Sequence, residues 1–131
     1  MLAKDLMVRE PVTVSPLASV RDALTLMHHR GVKSLVVDKQ SEDDAYGILT
    51  YTGILKEIVA EEGDIDLTNV YDLYVKPALA VSGDLSVKYV ARMMIQQHVK
   101  RLLVVDNNRL EGVVSMSDIV HNILRMADEA P

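Results

Sequence analysis

The sequence predicts a mixed α/β (α+β) fold made of two β-α-β-β-α repeats packed about a pseudo-twofold axis. Three observations predict it. Val20, Ala23, Leu24 and Met27 recur at one fixed offset as Val87, Val90, Ala91 and Met94. Gly47-Ile48-Leu49-Thr50-Tyr51-Thr52-Gly53-Ile54-Leu55 recurs as Gly112-Val113-Val114-Ser115-Met116-Ser117-Asp118-Ile119-Val120. Between these anchors each copy carries a short, β-branched apolar run. A duplicated unit of this size does not bury its apolar face alone, so the copies are expected to pack on each other. The repeats divide at residues 1–62 and 63–131, across the acidic join Glu61-Glu62-Gly63-Asp64, and together form one compact module.

The elements follow in the same order twice. Asp5-Leu6-Met7 and Asp72-Leu73-Tyr74 are matching lead-in segments. A proline follows each, Pro11 or Pro77, and then a short extended piece, Val12-Thr13-Val14 or Leu79-Ala80-Val81. A helix starts near Ser15-Pro16 or Ser19, since serine is a good N-cap and Ser19 with Asp22 has capping-box spacing. Positions 20, 23, 24 and 27 keep helical periodicity, and Gly31 is placed to end the helix. Leu35-Val36-Val37 and Leu102-Leu103-Val104-Val105 read as buried strands. The turn Asp106-Asn107-Asn108 predicts a tight hairpin, because asparagine tolerates positive φ. Its counterpart, Lys39 to Asp44, is a longer, acidic, solvated loop. Partner strands run from Tyr46 to Leu49 and from Leu110 to Val114. Second helices follow, carried by Ile54, Leu55, Ile58 and Val59 and by Ile119, Val120, Ile123 and Leu124.

Composition narrows the function. The chain has 131 residues, 49% of them hydrophobic, which suffices for the core of a soluble globular domain. No apolar run approaches membrane-spanning length, and the N-terminus lacks signal-peptide character. The absence of cysteine excludes disulfides and thiolate catalysis and points to the cytoplasm. A net charge of −5 disfavours nucleic acid and anionic membranes as partners. With neither Trp nor Phe, base-stacking platforms are nearly absent. His28, His29, His98 and His121 show no metal-ligand spacing, and Ser115 has no histidine placed to activate it. No catalytic residue, metal or required cofactor is therefore expected.

The segments Val99-Lys100-Arg101-Leu102-Leu103-Val104-Val105-Asp106 and Gly112-x-x-Ser115-x-x-Asp118-Ile119 resemble the cystathionine β-synthase (CBS) domain. Gly31-Val32-Lys33-Ser34-Leu35-Val36-Val37-Asp38 and Gly47-x-x-Thr50 match in the first copy, and the resemblance extends from about Lys4 to Leu124. It implies a tandem CBS pair: a non-catalytic regulatory module whose two clefts hold an adenine nucleotide or related adenosyl ligand. It also implies a homodimer that signals to a regulated protein whose identity the sequence does not carry. Methionine- and leucine-rich helical stripes and the low charge of the second helices agree with self-association.

The chemistry of the Gly-x-x-Ser/Thr-x-x-Asp segment follows from its place at a strand end and helix start. Free N–H groups and the helix dipole favour an anion there. Ser115 can bond a phosphate or ribose, and Asp118, one turn on, can accept from ribose hydroxyls. The same Ser-x-x-Asp spacing also serves as a helix cap, and the residues alone leave both readings open. In the first copy Gly53 replaces the acid, so that cleft is expected to lose ribose selectivity.

The resemblance further implies composite clefts. Ser115, with Met116, Ser117 and Asp118, is expected to face Thr13, Val14, Val32, Lys33 and Ser34. Thr50 is expected to face Ala80, Val81, Lys100 and Arg101. The three basic residues suit phosphate oxygens, although solvated surface positions describe them equally well. The valines suit an adenine face or simply a core.

Overall fold

The computed structural model describes residues 1–129. The chain forms two compact units. They do not follow the order of the repeats, because each lead-in segment packs into the unit built from the other copy. One unit comprises Val12–Ala78, and the other joins Met1–Pro11 to the chain from Leu79 onward.

The Val12–Ala78 unit holds β2 (Thr13–Val14), α2 (Val20–Arg30), β3 (Ser34–Val37) and β4 (Gly47–Thr50). β2 pairs parallel with β3, and β3 pairs antiparallel with β4. A parallel pair needs a crossover, and α2 supplies it. Ser19 is the N-cap chosen, its Oγ accepting from the Asp22 N–H at 3.1 Å. Gly31 ends the helix in the left-handed conformation, φ 63°. Val20, Ala23 and Met27 turn inward onto Leu35, Val37 and Leu49, and Val70 and Leu73 of the second lead-in complete that core.

The second helix of this unit departs from regular periodicity. α3 covers only Tyr51–Ile54, and Leu55–Ala60 continues it as a π-helix. Its wider turn is seen where the Glu61 N–H reaches the Lys56 carbonyl at 3.0 Å. Ile54 and Ile58 pack against the core, while Tyr51, Leu55 and Val59 are exposed. The acidic loop is not wholly solvated. Asp44 accepts from the Gln40 N–H at 2.8 Å and forms an ion pair with Lys76 at 2.7 Å.

The other unit holds α1 (Ala3–Leu6), β1 (Val8–Arg9), β5 (Ala80–Val81), α4 (Val87–Gln97), β6 (Arg101–Asp106), β7 (Arg109–Ser115) and α5 (Met116–Glu129). The sheet order is β1-β7-β6-β5. α4 is the crossover between parallel β5 and β6. Asn107 and Asn108 form the two-residue hairpin between β6 and β7, both with positive φ, 52° and 60°. Leu102, Val104 and Val114 meet Val90 and Met94 in the core, and Ala3 of the first lead-in is fully buried among them.

The duplication reaches individual hydrogen bonds. The Leu2 N–H donates to Asp5 at 2.8 Å, and the matching Asn69 N–H donates to Asp72 at 2.9 Å. No helix among the described residues is long and apolar enough to cross a membrane.

Candidate functional site

β7 delivers Ser115 and α5 begins at the next residue, so the motif occupies a strand-to-helix turn. The turn is closed from both sides. The Ser115 N–H donates to Asp118 Oδ2 at 3.0 Å, and the Asp118 N–H donates to Ser115 Oγ at 3.1 Å. This reciprocal pair is the capping arrangement, with aspartate in the place usually given to glutamate. It commits one oxygen of the carboxylate. An ionised carboxylate has about four acceptor positions, so Asp118 can cap the helix and still accept from a ligand.

The basic pair of the same repeat stands beside this turn. Arg101 is the register partner of Ser115 in the β6–β7 ladder, and the Met116 N–H donates to the Lys100 carbonyl at 2.8 Å. Lys100, Arg101, Ser115, Met116 and Ser117 line a cavity of about 350 Å³, with His121 on its helical wall. The site therefore combines two cations, two hydroxyls and the start of a fourteen-residue helix. That set suits an oxyanion. Asp118 lines an adjoining cavity of about 530 Å³, together with Asp5, His121, Asn122 and Arg125.

The first copy is built on the same register without the acid. Ser34 pairs with Thr50 across β3 and β4, and exposed Lys33 precedes Ser34. Thr50 occupies the N-cap of α3 but makes no side-chain cap bond, and Gly53 has no carboxylate to accept from the Thr50 N–H. A Cβ on Gly53 would lie 2.6 Å from the Leu73 carbonyl oxygen. The glycine is thus required by close backbone packing as well as being a lost acceptor.

The remaining candidates divide by burial. Val14 and Val81 belong to the two cores, and Val32 packs against the first of them. Thr13 and Ala80 are exposed on the short edge strands. One unit therefore holds Ala80, Val81, Lys100, Arg101 and Ser115 to Asp118, and the other holds Thr13, Val14, Val32, Lys33, Ser34 and Thr50. The sequence reading omitted His121, Asn122 and Arg125, which line the larger cavity with Asp118. Their spacing of three, four and seven residues from Asp118 was the available signal, because such positions share a helix face.

Comparison with known proteins agrees with this architecture. A model of the CBS domain matches residues 3–60 and again residues 70–125. An uncharacterised protein of Methanopyrus kandleri is 27% identical over 113 residues, covering 86% of this chain and 57% of that protein. This chain thus spans less than two thirds of that relative's length. The hexameric CBS-CP12 protein from bloom-forming cyanobacteria superposes with a TM-score of 0.91 at 32% identity, over 100% of this chain and 76% of that one. The CBS domain pair of protein MJ0100, solved with 5′-methylthioadenosine and S-adenosyl-L-methionine, superposes with a TM-score of 0.81 at 21% identity, over 94% and 99% of the two chains, and shows the fold alone. With both halves matched in order, the chain belongs to the CBS domain family and carries its domain twice, as a tandem pair of the kind that forms a regulatory module.

Proposed function

We propose that this chain is a non-catalytic sensor that binds an adenine nucleotide, or a related adenosyl ligand, at the Ser115–Asp118 turn and passes its occupancy to a partner protein. The observation that carries the reading is the convergence of Lys100, Arg101, Ser115 and Ser117 on one cavity at the start of α5. The cations and helix N-terminus take phosphate, and Asp118 takes the ribose diol. The adenosyl ligands on the MJ0100 pair support the ligand class. A second copy of this chain is the proposed assembly partner, through the exposed apolar stripes of the second helices. The hexameric state of the cyanobacterial relative supports self-association.

One observation favours a ligand-free structural module instead. The bonds between Ser115 and Asp118 give each side chain a partner without any ligand. Asp118→Asn separates the two readings. Asparagine keeps an oxygen for the Ser115 N–H, so the apo fold should change little. A lost charge-assisted hydrogen bond of about 1.5–3 kcal/mol should weaken AMP or ATP roughly tenfold or more by calorimetry. A lowered melting temperature with unchanged nucleotide affinity would establish the structural role and overturn the sensor reading.

A further inference from the structure

The duplication supplies an internal standard for α4. α2 and α4 are the crossover helices of the two repeats, with Val20 aligned to Val87. The outer face of α2 carries Arg21, Asp22, Thr25, His28 and His29, all exposed. It is polar throughout, and its arginine is paired with Asp66. The matching positions on α4 are Lys88, Tyr89, Arg92, Ile95 and Gln96, also all exposed. Tyr89 and Ile95 are 47% and 68% exposed where α2 has an aspartate and a histidine. Water gives no reason for an aromatic and an aliphatic side chain at these places. The charge differs as well. α4 contains no acidic residue, in a chain of net charge −5. Lys88 Nζ lies 4.7 Å and Arg92 Cζ 5.7 Å from the centre of the Tyr89 ring. These contacts hold both cations over the aromatic face without neutralising them. Among the described residues neither cation has a carboxylate partner.

We propose that the outer face of α4 docks an acidic segment of a partner protein. Carboxylates of that segment meet Lys88 and Arg92, and an apolar side chain of it covers Tyr89 and Ile95. Tyrosine and arginine are the residue types that anchor protein interfaces, and here they stand together on one helix face. Charge decides the kind of partner. An acidic segment is drawn to α4 and repelled by the acidic remainder of the chain, which fixes where it docks. Nucleic acid is a poorer fit, because two cations neutralise few phosphates and the net charge opposes the rest. None of these residues lines the cavities at the Ser115–Asp118 turn, so the proposal does not depend on the nucleotide reading.

Fluorescence anisotropy with a labelled peptide of glutamate and leucine tests this. The peptide should bind the native chain, and more weakly as salt is added. Reversing both charges, Lys88→Glu with Arg92→Glu, should weaken binding by about tenfold or more. Lys56→Glu with Arg109→Glu makes the same change in net charge at exposed positions elsewhere. That pair should cost less than about twofold, since distant exposed charges are screened. Tyr89→Ser with Ile95→Ser keeps every charge and should also cost about tenfold, because the apolar anchors are gone. All the substituted side chains are exposed, so each variant should keep a native circular dichroism spectrum. A peptide that does not bind, or equal losses in the two charge-reversed chains, would overturn the proposal. Duplex DNA that displaces the peptide would reassign the face to nucleic acid. Loss of the chain's own self-association in Lys88→Glu with Arg92→Glu would reassign it to a second copy.

Discussion

The Leu73 carbonyl oxygen occupies the space where a side chain on Gly53 would begin, 2.6 Å from the would-be Cβ. Leu73 is itself buried in the core of the same unit, so the carbonyl has little room to retreat. Gly53→Ala should therefore destabilise the chain by about 1–3 kcal/mol, the usual range for overpacking. Differential scanning calorimetry would show a lowered melting temperature. Gly53→Asp should lose at least as much and should not restore a ribose acceptor to the first copy. An aspartate variant as stable as the native chain, with a newly gained AMP site, would contradict this account.

The two repeats end their first helices differently. Gly31 ends α2 with φ 63°, ψ 35°, and His98 ends α4 with φ 55°, ψ 43°. The left-handed conformation costs an L-residue roughly 1–2 kcal/mol, whereas glycine adopts it freely but has more unfolded-state entropy to lose. His98→Gly should stabilise the chain by about 0.5–1 kcal/mol. Gly31→Ala should destabilise it by about 1 kcal/mol, through the backbone alone, because no atom lies within 4 Å of a Cβ there. Opposite shifts in denaturant midpoint at unchanged m-value are the expected result. Shifts of the same sign would refute the argument.

These residues also show what local sequence can and cannot reveal. Ser19, Gly31 and the Asn107-Asn108 turn act through bonds and dihedrals within a few residues, so their spacing announces them. The Ser115–Asp118 turn was legible for the same reason, although spacing alone did not decide between cap and ligand. The exchange of lead-in segments was not legible. Ala3 and Val70 are small apolar residues that fit either core, and only long-range packing assigns them. The π-helix after Ile54 was also hidden, since Ile54, Leu55, Ile58 and Val59 keep an ordinary helical pattern. Asn122 escaped notice because a lone asparagine on an apolar helix reads as surface until burial is known.

Acid should expose the Asp44–Lys76 pair. The Asp44 carboxyl is held down at about 2, first by the Lys76 hydrogen bond and then by the N–H groups of Gln40 and Ala45. In the unfolded chain it returns to the ordinary value of about 3.9. A carboxyl depressed on folding contributes stability above its unfolded pKa, and that contribution disappears as pH falls through the folded value. The native chain should therefore lose stability between about pH 4 and pH 2 more steeply than Asp44→Asn. Urea titrations at a series of pH values would measure the difference. Parallel pH profiles for the two chains would refute it.

The outer face of α5 carries the last prediction. Val120, Ile123 and Leu124 are 45%, 58% and 61% exposed on a helix whose polar residues do not interrupt the stripe. Tyr51, Leu55 and Val59 leave a similar stripe exposed on the matching helix of the other repeat, at 55%, 61% and 62%. Burying one such aliphatic side chain is worth about 1.5–3 kcal/mol, so two copies meeting through several of them would associate firmly. Light scattering should report a mass of twice 14.5 kDa at micromolar concentration. The melting temperature should rise with concentration, as mass action requires. Ile123→Asp puts a charge into the proposed contact, where it should weaken self-association by roughly a hundredfold, at 1.4 kcal/mol for each tenfold step. In the monomer Ile123 is exposed, so the variant should keep a native circular dichroism spectrum. A native chain that scatters as a monomer throughout, or an Ile123→Asp chain that dimerises undiminished, would remove α5 from the interface.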